Sequence, residues 1–378
     1  MHKDLQTPQN VIILCNGNSS KVTDRIDLIA YLHTVGIQPY IAGSFDGVIN
    51  PYYKEDNALF APIIASRNNT NPLVEIKSIF SVAKQVRKHR INAALVYGVK
   101  NHGAMTIGAR LGGVKNIICV VNGSGNLFRV SGFKGDVLRI ISFPVLRIAY
   151  FISKAVCFQN KDDKALFLQK KLVSSKTNVF ITGGSGVNLN SFPQRELVKE
   201  NRFLFLARIT PSKGINEYID AARIVKQHYS DATFDIVGPL DQAIEQEETK
   251  GILDLAVKEQ IVQYHGQTLD VPGWMAKCRF FVYPSYYPEG VPRCAMQAIA
   301  TGRPVITCNT PGCKEIVVDG ENGFLIPPKD PQILAEKMIW MIEHPEEVEI
   351  MSTVSRRYAE KKFDVSIINN ILIDKLIH

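Results

Sequence analysis

The residues best suited to chemistry lie between Phe280 and Pro328. An apolar run (Phe280, Phe281, Val282, Tyr283) gives way to Pro284-Ser285 and then to Glu289-Gly290-Val291-Pro292. A helix-like run carrying Cys294, Met296, Ala298 and Ile299 follows, stops at Gly302 and leads into a second apolar run from Pro304 to Cys308. This order predicts strand, loop, helix, strand: one turn of a doubly wound parallel sheet, which binds ligands at the carboxyl ends of its strands. Glu289 falls at such an end. A carboxylate there, followed by a glycine and by a proline opening the helix, sits beside backbone N–H groups that the first helical turn leaves unpaired. One acid with several N–H donors is a polyol and phosphate site in outline. The plainer alternative is a surface loop whose acid favours the helix dipole.

A second constellation lies upstream. Arg202 to Ile209 reads as a strand, Thr210-Pro211-Ser212-Lys213-Gly214 as a loop and Ile215 to Tyr229 as a helix. Arg208 at the strand end and Lys213 in the loop place two cations where a helix N-terminus points, an arrangement that neutralises a diphosphate. The sequence holds no Asp-x-Asp metal motif. No metal site is therefore expected, and a diphosphate's charge falls to Arg208, Lys213 and helix-end N–H groups.

The run Pro284-Ser285, Glu289-Gly290-Val291-Pro292, Gln297, Gly302-Arg303-Pro304-Val305-Ile306, Pro311-Gly312, Glu315 and Asn322-Gly323-Phe324-Leu325 resembles the donor-binding half of retaining GT-B glycosyltransferases of family 4. Arg208 and Lys213-Gly214 are similar to that family's Arg, four residues, Lys-Gly. The resemblance implies that Glu289 contacts the donor sugar's hydroxyls, with Gly290, Val291 and Pro292 beside it. Gln297, where the family has a second Glu, would hold the nucleotide ribose; Gln keeps donor and acceptor capacity without the charge. It also implies retention of anomeric configuration without an evident enzymic nucleophile, which makes Glu289, Arg208 and Lys213 the catalytic candidates.

The elements that must position these residues are legible along the chain. Val11 to Cys15 reads as a buried strand, Asn16 to Ser20 as a loop containing Gly17, and Asp24 to Thr34 as a helix, a unit that offers backbone N–H groups to phosphate or is a plain turn. Further strands are expected at Gln38–Ala42, Ala93–Tyr97, Asn116–Val121, Ala155–Phe158 and Val179–Ile181, with an irregular stretch before a helix from Pro72 to about Arg90. Lys100 follows one strand and Asn122-Gly123 ends the next, so both loops lie on one sheet edge. These loops resemble the acceptor side of family 4 enzymes that extend polyprenyl-diphosphate-linked sugars. Many relatives have His where Asn122 stands; His102, two residues past Lys100, is the candidate substitute, with a cap or surface role as the alternative.

Gly183 to Asn188 reads as a hinge, similar to the family's interdomain Gly-x-Gly-Val-Asp. The expected fold is α/β of GT-B type: two Rossmann-like domains, 1–185 for the acceptor and 186–360 for the nucleotide-sugar, facing across a cleft. A C-terminal helix, 361–378, is expected to cross back to the first domain.

At 378 residues, with 46% hydrophobic and 21% charged residues, the chain has the composition of a two-domain globular protein. Seven scattered cysteines without paired spacing suggest free thiols in a reducing cytosol, and no signal-peptide core or 18-residue uncharged apolar run is present. Charge is asymmetric: residues 1–185 carry net +13 and residues 186–378 net −5. The basic half should face an anionic membrane leaflet, since no aromatic-interleaved basic patch marks a nucleic-acid binder. Residues 132–156, apolar with recurring Lys and Arg, either lie in a membrane interface or form two core helices divided at Pro144. These features point to a cytoplasmic protein, peripheral on the inner face of the membrane, and the family resemblance implies a UDP-sugar donor, a saccharide or polyprenyl-diphosphate-linked acceptor and no cofactor. A nicotinamide dehydrogenase is disfavoured because no Gly-x-Gly-x-x-Gly opens a helix. An epimerase remains open, as does a sugar-nucleotide-binding scaffold, which Gln297 favours.

Overall fold

The computed structural model describes residues 10–18, 25–44, 59–64, 72–129, 132–240 and 247–378. The chain divides into two compact units, residues 1–184 with 365–378, and residues 185–364. The first is built from β1 (Asn10–Asn18), α1 (Ile26–Thr34), β2 (Gln38–Ser44), β3 (Leu59–Pro62), α2 (Pro72–Lys88), β4 (Ala93–Tyr97), α3 (Val99–Gly112), β5 (Asn116–Val121), α4 (Asn126–Arg129), α5 (Gly132–Ile152), β6 (Ala155–Phe158), α6 (Lys161–Gln169) and β7 (Val179–Ile181). Its sheet runs in the order β3-β2-β1-β4-β5-β6-β7, and every strand pair is parallel. Helices cover both faces, so the strands bury both sets of side chains and read as unbroken apolar runs. In β1, Ile12 and Leu14 enter one core while Val11 and Ile13 enter the other, the two-residue period of a strand.

The last helix of the chain, Val365–Ile377, belongs to this first unit. Leu372, Ile373 and Leu376 pack in the core with Leu28, Ile29 and Leu32 of α1. Burial of three such side chains contributes roughly 5–9 kcal/mol as an upper estimate. Polar contacts fix the register: Asn369 Nδ2 donates to the Asp27 carbonyl at 3.2 Å and Lys154 Nζ to the Leu376 carbonyl at 3.1 Å.

Two features differ from the sequence reading. The stretch before α2 contains β3, a four-residue edge strand that buries only Ala61, too short to show a period. Residues 132–152 form one helix that continues through Pro144 instead of two helices. Pro144 is exposed, where water can serve the carbonyl that its missing N–H leaves unpaired. No described helix is long and apolar enough to cross a membrane.

The second unit comprises β8 (Arg202–Leu206), α7 (Ile215–His228), β9 (Thr233–Val237), α8 (Glu247–Lys258), β10 (Gln263–Tyr264), α9 (Val271–Lys277), β11 (Phe280–Tyr283), α10 (Arg293–Ala300), β12 (Val305–Cys308), β13 (Gly323–Ile326), α11 (Pro331–Glu343) and α12 (Pro345–Lys362). Its strands, all parallel, run β10-β9-β8-β11-β12-β13. Each sheet reverses its winding once, between β1 and β4 in the first unit and between β8 and β11 in the second. That reversal opens a crevice at the carboxyl ends of the two strands flanking it.

Candidate functional site

The two constellations found in the sequence leave the two strands at the second unit's reversal point. Lys213 lies in the loop after β8, and Glu289 in the loop after β11. The loops are knitted by backbone. Tyr286 N–H donates to the Ser212 carbonyl at 3.1 Å, and Gly214, at φ +80°, presses so close to Pro284 that a Cβ would lie 2.2 Å from its carbonyl oxygen. A third loop joins at Gly312, also at φ +80°, where a Cβ would lie 1.9 Å from the Gly290 carbonyl oxygen. Thr310 Oγ1 donates to the Ser285 carbonyl at 3.1 Å. Glycine is required at both positions by conformation and by space.

This framework brings Lys213 Nζ onto Glu289 Oε1 as an ion pair, with side chains 9% and 16% exposed. Tyr283 Oη donates to the same oxygen, and Ser285 Oγ lies 3.1 Å from it. The ammonium also lies 4.8 Å from the Tyr287 ring centre and 5.6 Å from that of Tyr283. A lysine and a glutamate so nearly buried are tolerable only as a pair with further hydrogen bonds. Burial first, then the Glu289 charge, push the Tyr283 phenol well above its ordinary 10, so it donates and does not ionise. The neighbouring thiols are likewise kept protonated: burial pushes Cys313 up to about 12 and Cys294 higher. Neither can serve as a nucleophile at neutral pH. All seven cysteines are free.

The other donor-side residues surround this cluster. Gly290 and Val291 are buried, Pro292 is the N-cap of α10 in extended conformation, and Gln297 is half-buried on the second turn of that helix. Arg208 is exposed, two residues beyond β8. Tyr283 and Ser285 were read only as strand and break; the signal that could have exposed them is a hydroxyl at the end of an otherwise apolar run. Among the described residues no group of three or more His, Cys, Asp and Glu could hold a metal ion.

In the first unit, Gly17 is a correction: expected in the loop after the first strand, it lies within β1, which runs on to Asn18 beside Ser44. Lys100 is exposed in the first turn of α3, and Asn122 and Gly123 follow β5 directly. His102 is a correction. Its ring is fully buried, with Nε2 3.1 Å and 3.2 Å from the carbonyls of Val96 and Val120 and Nδ1 2.9 Å from Tyr150 Oη. The two carbonyls assign the proton to Nε2, so Tyr150 donates to Nδ1. Burial lowers its pKa to about 4, leaving a neutral imidazole that ties two strands together and cannot reach an acceptor.

Residues 188–358, a little under half of the chain, match the family model described as glycosyl transferases group 1. That stretch, which spans most of the second unit, is similar to a group 1 glycosyltransferase domain. Over nearly three quarters of its length the chain is similar to two bacterial transferases. One is the N,N'-diacetylbacillosaminyl-diphospho-undecaprenol alpha-1,3-N-acetylgalactosaminyltransferase of Campylobacter jejuni, 24% identical over 74% of this chain and 75% of that protein. The other is the UDP-Gal:alpha-D-GlcNAc-diphosphoundecaprenol alpha-1,3-galactosyltransferase of Escherichia coli, 25% identical over 72% of each. Among solved structures, Anabaena HepE in complex with UDP and glucose superposes with a TM-score of 0.77 at 18% identity, over 97% of this chain and 99% of that one. Two parallel-sheet Rossmann-like units in one chain are the GT-B fold of the sequence expectation.

Proposed function

We propose that the protein transfers a sugar from a UDP-sugar to a saccharide carried on a polyprenyl diphosphate, retaining anomeric configuration, in the synthesis of cell-surface polysaccharide. The observation that carries this reading is the Lys213–Glu289 cluster at the reversal point of a group 1 domain. The names of the two bacterial relatives, both acting on undecaprenyl-linked diphosphates, support the acceptor class. As the sugar–phosphate bond breaks, negative charge grows on the diphosphate and positive charge at the anomeric carbon. Lys213, Arg208 and the N–H groups opening α10 are assigned to the first, and Glu289 to the sugar hydroxyls beside the second. Gln297 is assigned to the ribose. The diphosphate is neutralised by these groups, so the donor is the one small molecule the reading requires. Lys100, Asn122 and Gly123 are assigned to the acceptor.

The same reading sets the protein on the inner face of the cell membrane, where a polyprenyl carrier resides. Its support is the apolar stripe of α5: Phe133, Ile140, Ile141, Ile148 and Phe151 are more than half exposed, in a domain of net positive charge. Arg139 pairs with Asp136 at 2.8 Å, while Arg147 and Lys154 donate to the carbonyls of Lys171 and Leu376 at 2.9 and 3.1 Å. Arg147 and Lys154 tie this segment to the rest of its unit, and the apolar side chains are left for lipid. Sedimentation with vesicles of acidic lipid should be strong, weaken as salt rises and fall in an Ile140→Ser, Phe151→Ser variant; equal sedimentation of both proteins would remove the assignment.

Labelled nucleotide-sugars incubated with and without a polyprenyl-diphosphate saccharide test the reaction. Label moving to the lipid from a UDP-sugar is the expected result. A changed sugar nucleotide without acceptor would mean an epimerase, and binding without turnover a scaffold.

A further inference from the structure

Most of the cations beside the apolar stripe of α5 are already engaged. Of the four between residues 132 and 156, Arg139 pairs with Asp136, and Arg147 and Lys154 donate to carbonyls of their own unit. Attraction to acidic headgroups therefore needs a second source of charge, and α2 has one. Leu73, Ile76 and Phe80 are 65%, 49% and 66% exposed on its first half, and Lys84, Arg87 and Lys88 are exposed toward its end. Steps of three and four residues set Leu73, Ile76, Phe80, Lys84 and Arg87 in one row along the helix, with Lys77 and Lys88 beside it. Glu75, the one acid of α2, is half-buried near Lys100. Arg87 Nη2 donates to the Leu111 carbonyl at 2.8 Å, which leaves the three lysines as the candidates to reach a headgroup.

This row shares a side of the unit with the α5 stripe. Val82 and Val86 of α2, Met105 and Ala109 of α3, and Leu146 and Tyr150 of α5 enter one core on one face of the first sheet, while α1 and the C-terminal helix cover the other. Between α2 and α5 lies α3, and its glycines let both close on it. A Cβ at Gly108 would lie 2.6 Å from the Ile79 carbonyl oxygen, and one at Gly103 would lie 2.6 Å from Val145 Cγ1. Two usual helix spacings put the α2 and α5 rows roughly 16–20 Å apart. Large apolar side chains exposed together mark a contact surface.

We propose that α2 is a second membrane-contact element of the first unit: Ile76 and Phe80 enter an acidic lipid leaflet beside the α5 stripe, and Lys77, Lys84 and Lys88 meet its headgroups. This deepens the reading of the first unit as membrane-bound and rests on it. Lysine stems can lie at the apolar level while their ammonium groups reach the phosphates. The row of cations fits an acidic leaflet, whereas a second copy of the chain meeting through the same face would set like charges opposite each other.

Sedimentation with phosphatidylcholine vesicles, and with the same lipid mixed with phosphatidylglycerol, tests the role. All the substituted side chains are exposed, so melting temperatures should stay unchanged. Replacing Lys77, Lys84 and Lys88 together by Gln should weaken binding to the acidic vesicles roughly 10- to 100-fold, at about fivefold per lysine, and flatten its salt dependence. Binding to the neutral vesicles should stay within about twofold. An Ile76→Ser, Phe80→Ser variant should bind both kinds at least about tenfold more weakly. If the α5 variant loses sedimentation while both α2 variants keep the parent's binding and salt response, α2 has no such role and the membrane reading stands. A parent that sediments with neither kind overturns both. Self-association of the parent that the Ile76→Ser, Phe80→Ser variant abolishes, with vesicle binding intact, would give this face to a second copy instead.

Discussion

Replacing Lys213 by Met separates what the Lys213–Glu289 pair does for the fold from what it does for the reaction. The side chain is 9% exposed and its partner 16%, so the variant leaves a carboxylate in a nearly dry place without that ammonium, with Tyr283 and Ser285 still donating to it. Breaking a fully buried pair costs about 3–5 kcal/mol. Residual exposure and the two hydroxyls bring the expected loss to about 2–3 kcal/mol, or roughly 5–10 °C in the melting temperature of a unit this size. Glu289→Gln should cost about as much. The double variant, which removes both charges, should recover most of the stability, because the coupling between contacting ions makes the single losses non-additive. Activity should not recover, since neither the cation for the diphosphate nor the carboxylate for the sugar is restored. Urea denaturation followed by tryptophan fluorescence reads the first quantity, and label transfer the second. Additive losses would refute the pairing, and restored transfer in the double variant would refute the assigned roles.

Two further outcomes follow from single residues. His102 binds its proton more weakly folded, at about 4, than unfolded, near 6.5, so stability falls as pH drops through that window and levels off below it. Between pH 7 and 5 this group should remove about 2 kcal/mol, and a His102→Gln variant measured by urea denaturation should lack that slope; equal slopes would mean that the imidazole is not held neutral. Gln297→Glu should leave calorimetric UDP-sugar affinity within about threefold, since either side chain accepts from a ribose hydroxyl; a large gain would mark Gln297 as a disabling change and favour a binding protein.

Much of the fold was legible because both sheets are parallel and covered. The strands at Ala93–Tyr97, Asn116–Val121 and Ala155–Phe158 are uninterrupted apolar runs closed by polar or glycine residues, and the structure has them at those bounds. Leu59–Pro62 escaped because an edge strand of four residues with one buried side chain has no pattern to read. The helix through Pro144 escaped because a proline is costly inside a helix unless, as here, it faces water. At the site, residue types and loop positions were readable, but the Lys213–Glu289 pair joins positions 76 residues apart, and only the order of strands makes them neighbours. Tyr283 was hidden for a related reason: in a strand of Phe, Phe and Val it reads as one more apolar residue. His102 misled because a titratable side chain beside a strand end looks functional until its three hydrogen-bond partners are seen.

Calorimetric titration of UDP and of uridine into the protein and its Lys213→Met variant tests the central claim most directly, because it needs neither the sugar nor the acceptor. The parent should bind UDP at least tenfold more tightly than uridine, with most of that difference lost in the variant. Equal affinity for UDP and uridine in the parent, or an undiminished preference for UDP in the variant, would contradict the assignment of this cluster to the donor diphosphate.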